Sequence, residues 1–370
     1  MSPAKPFGKS LETIVRSETP FNSGPAPAAL ARHPATPNDL FFVRNHGDVP
    51  AIDAARHRLT VDGDVARPLE LSLADLAARF PRREIVATLQ CAGNRRQELG
   101  ELRPIPGELP WGSEAISNAR WAGVALADVL TAAGPTATAR HAAFHGLDET
   151  ERHGQRFTFG GSIPIAKALA GEVLLAWEMN GEPLPPVHGA PLRALVPGWI
   201  GARSVKWLAG ITLQAEPSEN YFQRVAYRLF PAATGPENVV WEEGTMLGDQ
   251  PVNSLVTTPL PGATLPPGAT RFAGVAFAGG GRVVTRVEVS LDDGASWRQT
   301  DLAAVSSPWA WRQWEVSLDL PAGEHEIAVR AWDDAANTQP PAIEQVWNFK
   351  GYVNNAWQRM RVRCAGREGR

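Results

Sequence analysis

Cysteine is scarce in this chain: two among 370 residues, Cys91 and Cys364, which excludes a disulfide-built scaffold. Their wide separation permits one bridge without suggesting it. The pair reads as free thiols of a reducing compartment, so the cytoplasm is expected, with a periplasmic mature form that has shed a leader as the other option. An excess of one charge is also lacking. Lys and Arg number 36 against 39 Asp and Glu, a net charge of -3, which argues against nucleic-acid or membrane-surface binding by the chain as a whole. Any attraction for anions has to be local. No run approaches the roughly 20 apolar residues that span a bilayer, and the N-terminus has no apolar core of signal-peptide length. No solenoid-like repeat is present.

What is there suggests two domains, since 370 residues exceed what one hydrophobic core usually organises and leave interior for a sizeable cofactor. Residues 1–39 are rich in Pro and Ala and read as an irregular arm with little secondary structure. Residues 40–248 alternate short apolar runs with short helical patterns, which predicts an α+β domain. Strands are expected at 58–62 and 84–90; between them Ser72 caps a helix through Asp75, with Leu73 and Leu76 on one face. A helix over 125–133 ends at Gly134-Pro135, and Pro164 opens another over 165–169. Strands at 173–177 and 192–196 flank an Asn180-Gly181 turn, with Pro183 and Pro186 lengthening the return. In residues 249–370, Val287, Val289 and Leu291 alternate with Arg286, Glu288 and Ser290 before the turn Asp292-Asp293-Gly294. Val316 and Leu318, then Ile327, Val329 and Ala331, repeat the period of two, as in an immunoglobulin-like β-sandwich.

Cys91 follows an apolar strand and precedes Gly93, Arg95 and Arg96, whose charge favours the thiolate. The residues alone leave a metal ligand, a nucleophile and a buried small side chain open. The order of four runs adds more: Phe41 to His46; Leu89-Gln90-Cys91-Ala92-Gly93-Asn94-Arg95-Arg96; Gly189 through Val196 to Trp207; and Trp347 to Gly351. Together they resemble the sulfite oxidase family of molybdopterin oxidoreductases, in its haem-free bacterial form.

That resemblance implies a molybdopterin-binding domain followed by a dimerisation sandwich, with Cys91 as the thiolate on molybdenum and a pyranopterin supplying further sulfurs; soft donors suit such a metal. It assigns Arg44, Arg96, Trp111, Tyr227 and Lys350 to the substrate pocket. A further pocket arginine of the vertebrate enzymes appears here as Lys350, which keeps the charge and loses the bidentate fork. The same resemblance gives Arg44, Asn45, His46, Asp148, His188, Arg193, Gly198, Ser204, Val205 and Lys206 to the cofactor, with Arg193 and Lys206 on its phosphate. The implied reaction is oxygen-atom transfer to sulfite. Neither a haem-binding histidine pair nor a glycine-rich flavin motif is evident, so electrons are expected to leave to an external acceptor, a c-type cytochrome or dioxygen. A nitrate-reductase-type enzyme is the alternative within the family, and a non-enzymatic β-sandwich binding protein the alternative outside it.

Overall fold

The computed structural model describes residues 5–30 and 32–365. Its arm departs from expectation. Strands Thr13–Glu18 and Phe21–Pro25 pair antiparallel, and Pro27–Leu30 adds a helical turn. The ordering comes from burial that no local pattern announces: Phe21 packs with Val43 and Val187, with Val15 beside them. The first four residues and Ala31 lie outside the described residues.

Two five-stranded sheets follow. In one, Arg82–Gln90 lies beside Ile116–Ala125, which pairs with Leu174–Met179, and the last strand also receives Glu182–Pro183 and Arg193–Leu195. Asn180 and Gly181 have φ of 55° and 82°, the two left-handed positions of a tight hairpin turn. In the other sheet, Leu208–Gln214 lies parallel to Leu59–Gly63 and antiparallel to His141–Arg152. The long hairpin of His141–Arg152 with Gln155–Pro164 is absent from the sequence-based expectation; His153 and Gly154, with φ of 53° and 73°, make its turn. Ser72 caps Leu73–Arg79 in a reciprocal capping box with Asp75, as its spacing predicts. Gly134, at φ 72°, closes Leu126–Ala133. Val61, Leu126, Leu130, Phe144 and Ile211 fill the core between these elements.

From Asn253 onward two mainly antiparallel sheets face each other, one built on Gly268–Phe277 and Arg312–Leu320, the other on Val284–Ser290, Gly323–Asp333 and Gln358–Cys364. Phe272, Val287, Val289, Trp314, Ile327 and Val329 close the space between them. Glu288 breaks the expected alternation: it is buried, held by Arg286 and by Arg330 at 2.8 Å. A buried carboxylate persists only when paired in this way.

The C-terminal half reaches the loop that follows Arg82–Gln90. Arg95, fully buried with φ 63°, donates to Asn253 Oδ1 at 3.0 Å and to the Ala356 carbonyl at 2.7 Å. Asn354 Nδ2 donates to the Arg95 carbonyl at 3.0 Å, and the Val353 amide to that of Ala92 at 2.6 Å. No helix among the described residues is long and apolar enough to cross a membrane.

Candidate active site

A cavity opens where the strand end at Gln90, the segment after the arm and the loop after Arg193–Leu195 converge. Cys91 lines it with Arg44, His46, Asp148, His188, Arg193, Gly201, Ser204, Lys206 and Tyr227. Cys91 is buried and unpaired; its amide donates to the Ala115 carbonyl at 2.9 Å, and the Gly93 amide points at its Sγ from 3.4 Å. The cysteine thus sits at a strand end whose backbone is already committed. Gly201 faces it, since a Cβ there would meet the Gln90 carbonyl at 3.1 Å.

Arg44, His46 and Tyr227 form a row. Arg44 Nη2 lies 3.2 Å from His46 Nδ1, and His46 Nε2 lies 2.8 Å from Tyr227 Oη. A guanidinium only donates, so Nδ1 accepts and Nε2 carries the hydrogen, donated to the phenol oxygen. The hydroxyl hydrogen of Tyr227 is therefore left for another acceptor. Burial first, then the cations Arg44, Arg152, Lys206 and Arg96, hold the His46 imidazole well below its usual range and keep it neutral. Burial likewise pushes the Tyr227 phenol up. Tyr227 stacks on Tyr352 with ring centroids 5.3 Å apart.

Behind this row lies a cluster of buried cations. Arg193 donates only to backbone carbonyls, of His188 at 2.8 Å, Ser204 at 3.0 Å and Ala194 at 3.4 Å, and its guanidinium lies 4.9 Å from the Trp121 ring centre. Lys206 bonds to Asn45 Oδ1 and, at 3.1 Å, to the Val187 carbonyl. Among the described residues neither has an ion-pair partner, and burial lowers Arg193 to about 9 and Lys206 well below its usual value. Burial raises the Asp148 carboxyl against the pull of Lys206, and its Oδ1 has no partner. Arg193 is a desolvated cation with no ion pair, and Lys206 has only Asp148, at a distance beyond an ion pair, to offset its burial; both are costly, and an anionic tail fits there. Asn45 acts through Lys206, and Ser204 Oγ accepts the Val196 amide at 2.9 Å. Val205 turns into the first core; its carbonyl accepts the Ala194 amide at 2.8 Å. Among the described residues no three His, Cys, Asp or Glu cluster to hold a metal.

Besides Asn45 and Val205, four more predicted positions do not line the cavity. Gly198 does not line the cavity: at φ 78° it faces Gly280 and Trp309 of the C-terminal half. Trp111 is fully buried in the apolar cluster that holds Cys91, and its Nε1 lacks a partner. Arg96 Nε donates to the Lys350 carbonyl at 3.0 Å and Nη1 to the Leu109 carbonyl at 2.9 Å. Lys350 is ion-paired with Glu108, so the charge expected to survive there is not free. Burial tends to raise the Glu108 carboxyl, but Arg96, Lys350 and Arg44 together hold it below its ordinary range. Glu108 escapes sequence reading because nothing local marks it. Lys9 escapes too: from the arm its Nζ donates to the carbonyls of Asn38 and Phe41, both at 2.7 Å, and lies 3.0 Å from His188 Nε2. Asn22 Oδ1, also from the arm, accepts the Asn45 amide at 2.8 Å.

A cysteine-lined cavity backed by buried cations thus lies on an α+β domain joined to a β-sandwich, and the chain's relatives give the class of oxidoreductase. Residues 46–222 match the oxidoreductase molybdopterin binding domain, and residues 245–365 the Mo-co oxidoreductase dimerisation domain. Sulfite oxidase of Gallus gallus is 44% identical over 93% of this chain and 76% of its own. A nitrate reductase of Hordeum vulgare is 38% identical over 93% of this chain and 41% of its own. The sulfane dehydrogenase SoxCD of Paracoccus pantotrophus superposes with a TM-score of 0.79 at 27% identity, covering 93% of this chain and 84% of that one. The chain spans about two thirds of the human sulfite oxidase it matches, 65%. It belongs to the sulfite oxidase family of molybdopterin oxidoreductases, which removes the reading as a non-enzymatic binding module.

Proposed function

We propose that this enzyme oxidises sulfite to sulfate, with water as the oxygen source and with two electrons and two protons released. The observation that carries the reading is the convergence on one cavity of Cys91, the row Arg44–His46–Tyr227, and the unpaired cations Arg193 and Lys206. Cys91 would hold molybdenum, and Arg193, Lys206 and His188 the pterin and its phosphate. When bound, this group supplies oxygen-atom transfer and takes up the two electrons. The protein's part is positioning and charge. Arg44 offers a guanidinium at the cavity wall, and Tyr227 has a hydroxyl hydrogen to donate to a bound oxyanion, both preorganised and shielded from water.

Electrons pass to an external acceptor, a c-type cytochrome or dioxygen. The match to a dimerisation domain supports a homodimer joined through the sandwich. Two free buried thiols suit the cytoplasm. The test is sulfite-dependent reduction of ferricyanide and of cytochrome c by wild type and Cys91→Ser, beside metal and pterin analysis. Loss of activity with loss of molybdenum is expected. Full activity in the variant overturns the ligand assignment, and turnover of nitrate without sulfite moves the chain to the nitrate-reductase type.

A further inference from the structure

Three cations are expected to draw an oxyanion toward Cys91, yet two of them share a carboxylate of the chain itself. Glu108 Oε1 pairs with Lys350, and its Oε2 lies 3.7 Å from Arg96 Nη2. The site is sheltered: the Arg96 side chain is 4% exposed, and those of Glu108 and Lys350 are 17% each. At such positions water screens charge weakly. Glu108 is also held in place, because Arg96 donates to the carbonyls of Lys350 and Leu109, the residue next to Glu108. Two aromatic rings stand between the cluster and the cavity wall. Arg96 lies 5.1 Å from the ring centre of Tyr352, which stacks on Tyr227.

We propose that Glu108 is a specificity-determining residue: a resident counter-ion on Arg96 and Lys350 that opposes every incoming anion, and opposes doubly charged oxyanions more than singly charged ones. The inference rests on the reading of Arg96 and Lys350 as groups that attract the substrate. Its physical content is Coulombic. One fixed negative charge changes the energy of a dianion twice as much as that of a monoanion at the same place, so the two fold-changes in affinity stand as a square to its root.

The test is equilibrium binding of sulfate and of nitrate to the oxidised, cofactor-loaded enzyme by titration calorimetry at constant ionic strength, for wild type and Glu108→Gln. The variant is isosteric, and its thermal midpoint is checked first. Expected is sulfate binding about tenfold tighter and nitrate about threefold tighter. The double variant Glu108→Gln with Lys350→Gln removes one charge of each sign and brings sulfate affinity back toward wild type. Equal factors for the two anions, or no tightening of either, overturn the proposal. Sulfite turnover by wild type is measured alongside. Its absence overturns the function proposed above, while the sulfate-to-nitrate ratio still decides the role of Glu108.

Discussion

His46 shows how much of the chemistry is set by single donors and acceptors. Because Arg44 can only donate, the imidazole accepts on one side and donates on the other, and the Tyr227 hydroxyl hydrogen is released toward the cavity. Tyr227→Phe therefore removes one preorganised donor and is expected to lower kcat/KM for sulfite about 100-fold, read by steady-state kinetics. Arg193→Met and Lys206→Met each take away a buried cation outside any ion pair; pterin and molybdenum per chain are expected to fall well below wild type, measured on purified protein by metal and pterin analysis. At this scale the sequence was legible where residues cluster in short runs, such as Arg44, Asn45 and His46. Cys91 alone was ambiguous, and its setting came from the order of four runs. Glu108 and Lys9 were not legible, because among their partners Lys350 lies 242 residues from Glu108 and His188 lies 179 from Lys9.

Among the elements, the helix Leu73–Arg79 and the hairpin at Asn180-Gly181 were readable because their signals are local. Ser72→Ala is expected to cost about 1 kcal/mol, seen as a lower urea midpoint at unchanged slope. The arm was not readable, since its order depends on Phe21 and Val15 meeting Val43 and Val187. Lys9 gives the arm a pH dependence. Burial lowers it from 10.5 in the unfolded chain to about 7 in the fold, against the opposing charge of Asp39. Between those values the unfolded state binds more protons, so stability rises with pH; below about 7 the burial penalty is complete, and above 10.5 it is gone. Urea unfolding at about pH 7.5 and 9.5 should show wild type gaining up to about 1.4 kcal/mol per pH unit relative to Lys9→Met. A flat difference between the two proteins contradicts this account of the arm.

Across the whole molecule, the loop that carries Cys91 is finished by the far end of the chain. Arg95 is buried with no exposure, paired with Glu98 at 2.6 Å and bonded to Asn253 and Ala356. Arg95→Ala leaves those acceptors without their donor and is expected to destabilise the protein by about 3 kcal/mol or more. Calorimetry should then resolve two transitions where wild type shows one. A single transition at the wild-type temperature contradicts this coupling. The position of that arginine also bears on biosynthesis. Ala92 receives its hydrogen bond from Val353, and Arg95 its partners from Asn354 and Ala356, so the cysteine loop lacks these partners until residues 353–356 have been made and have docked. The backbone around Cys91 is thus held by contacts separated from it by about 260 positions of sequence.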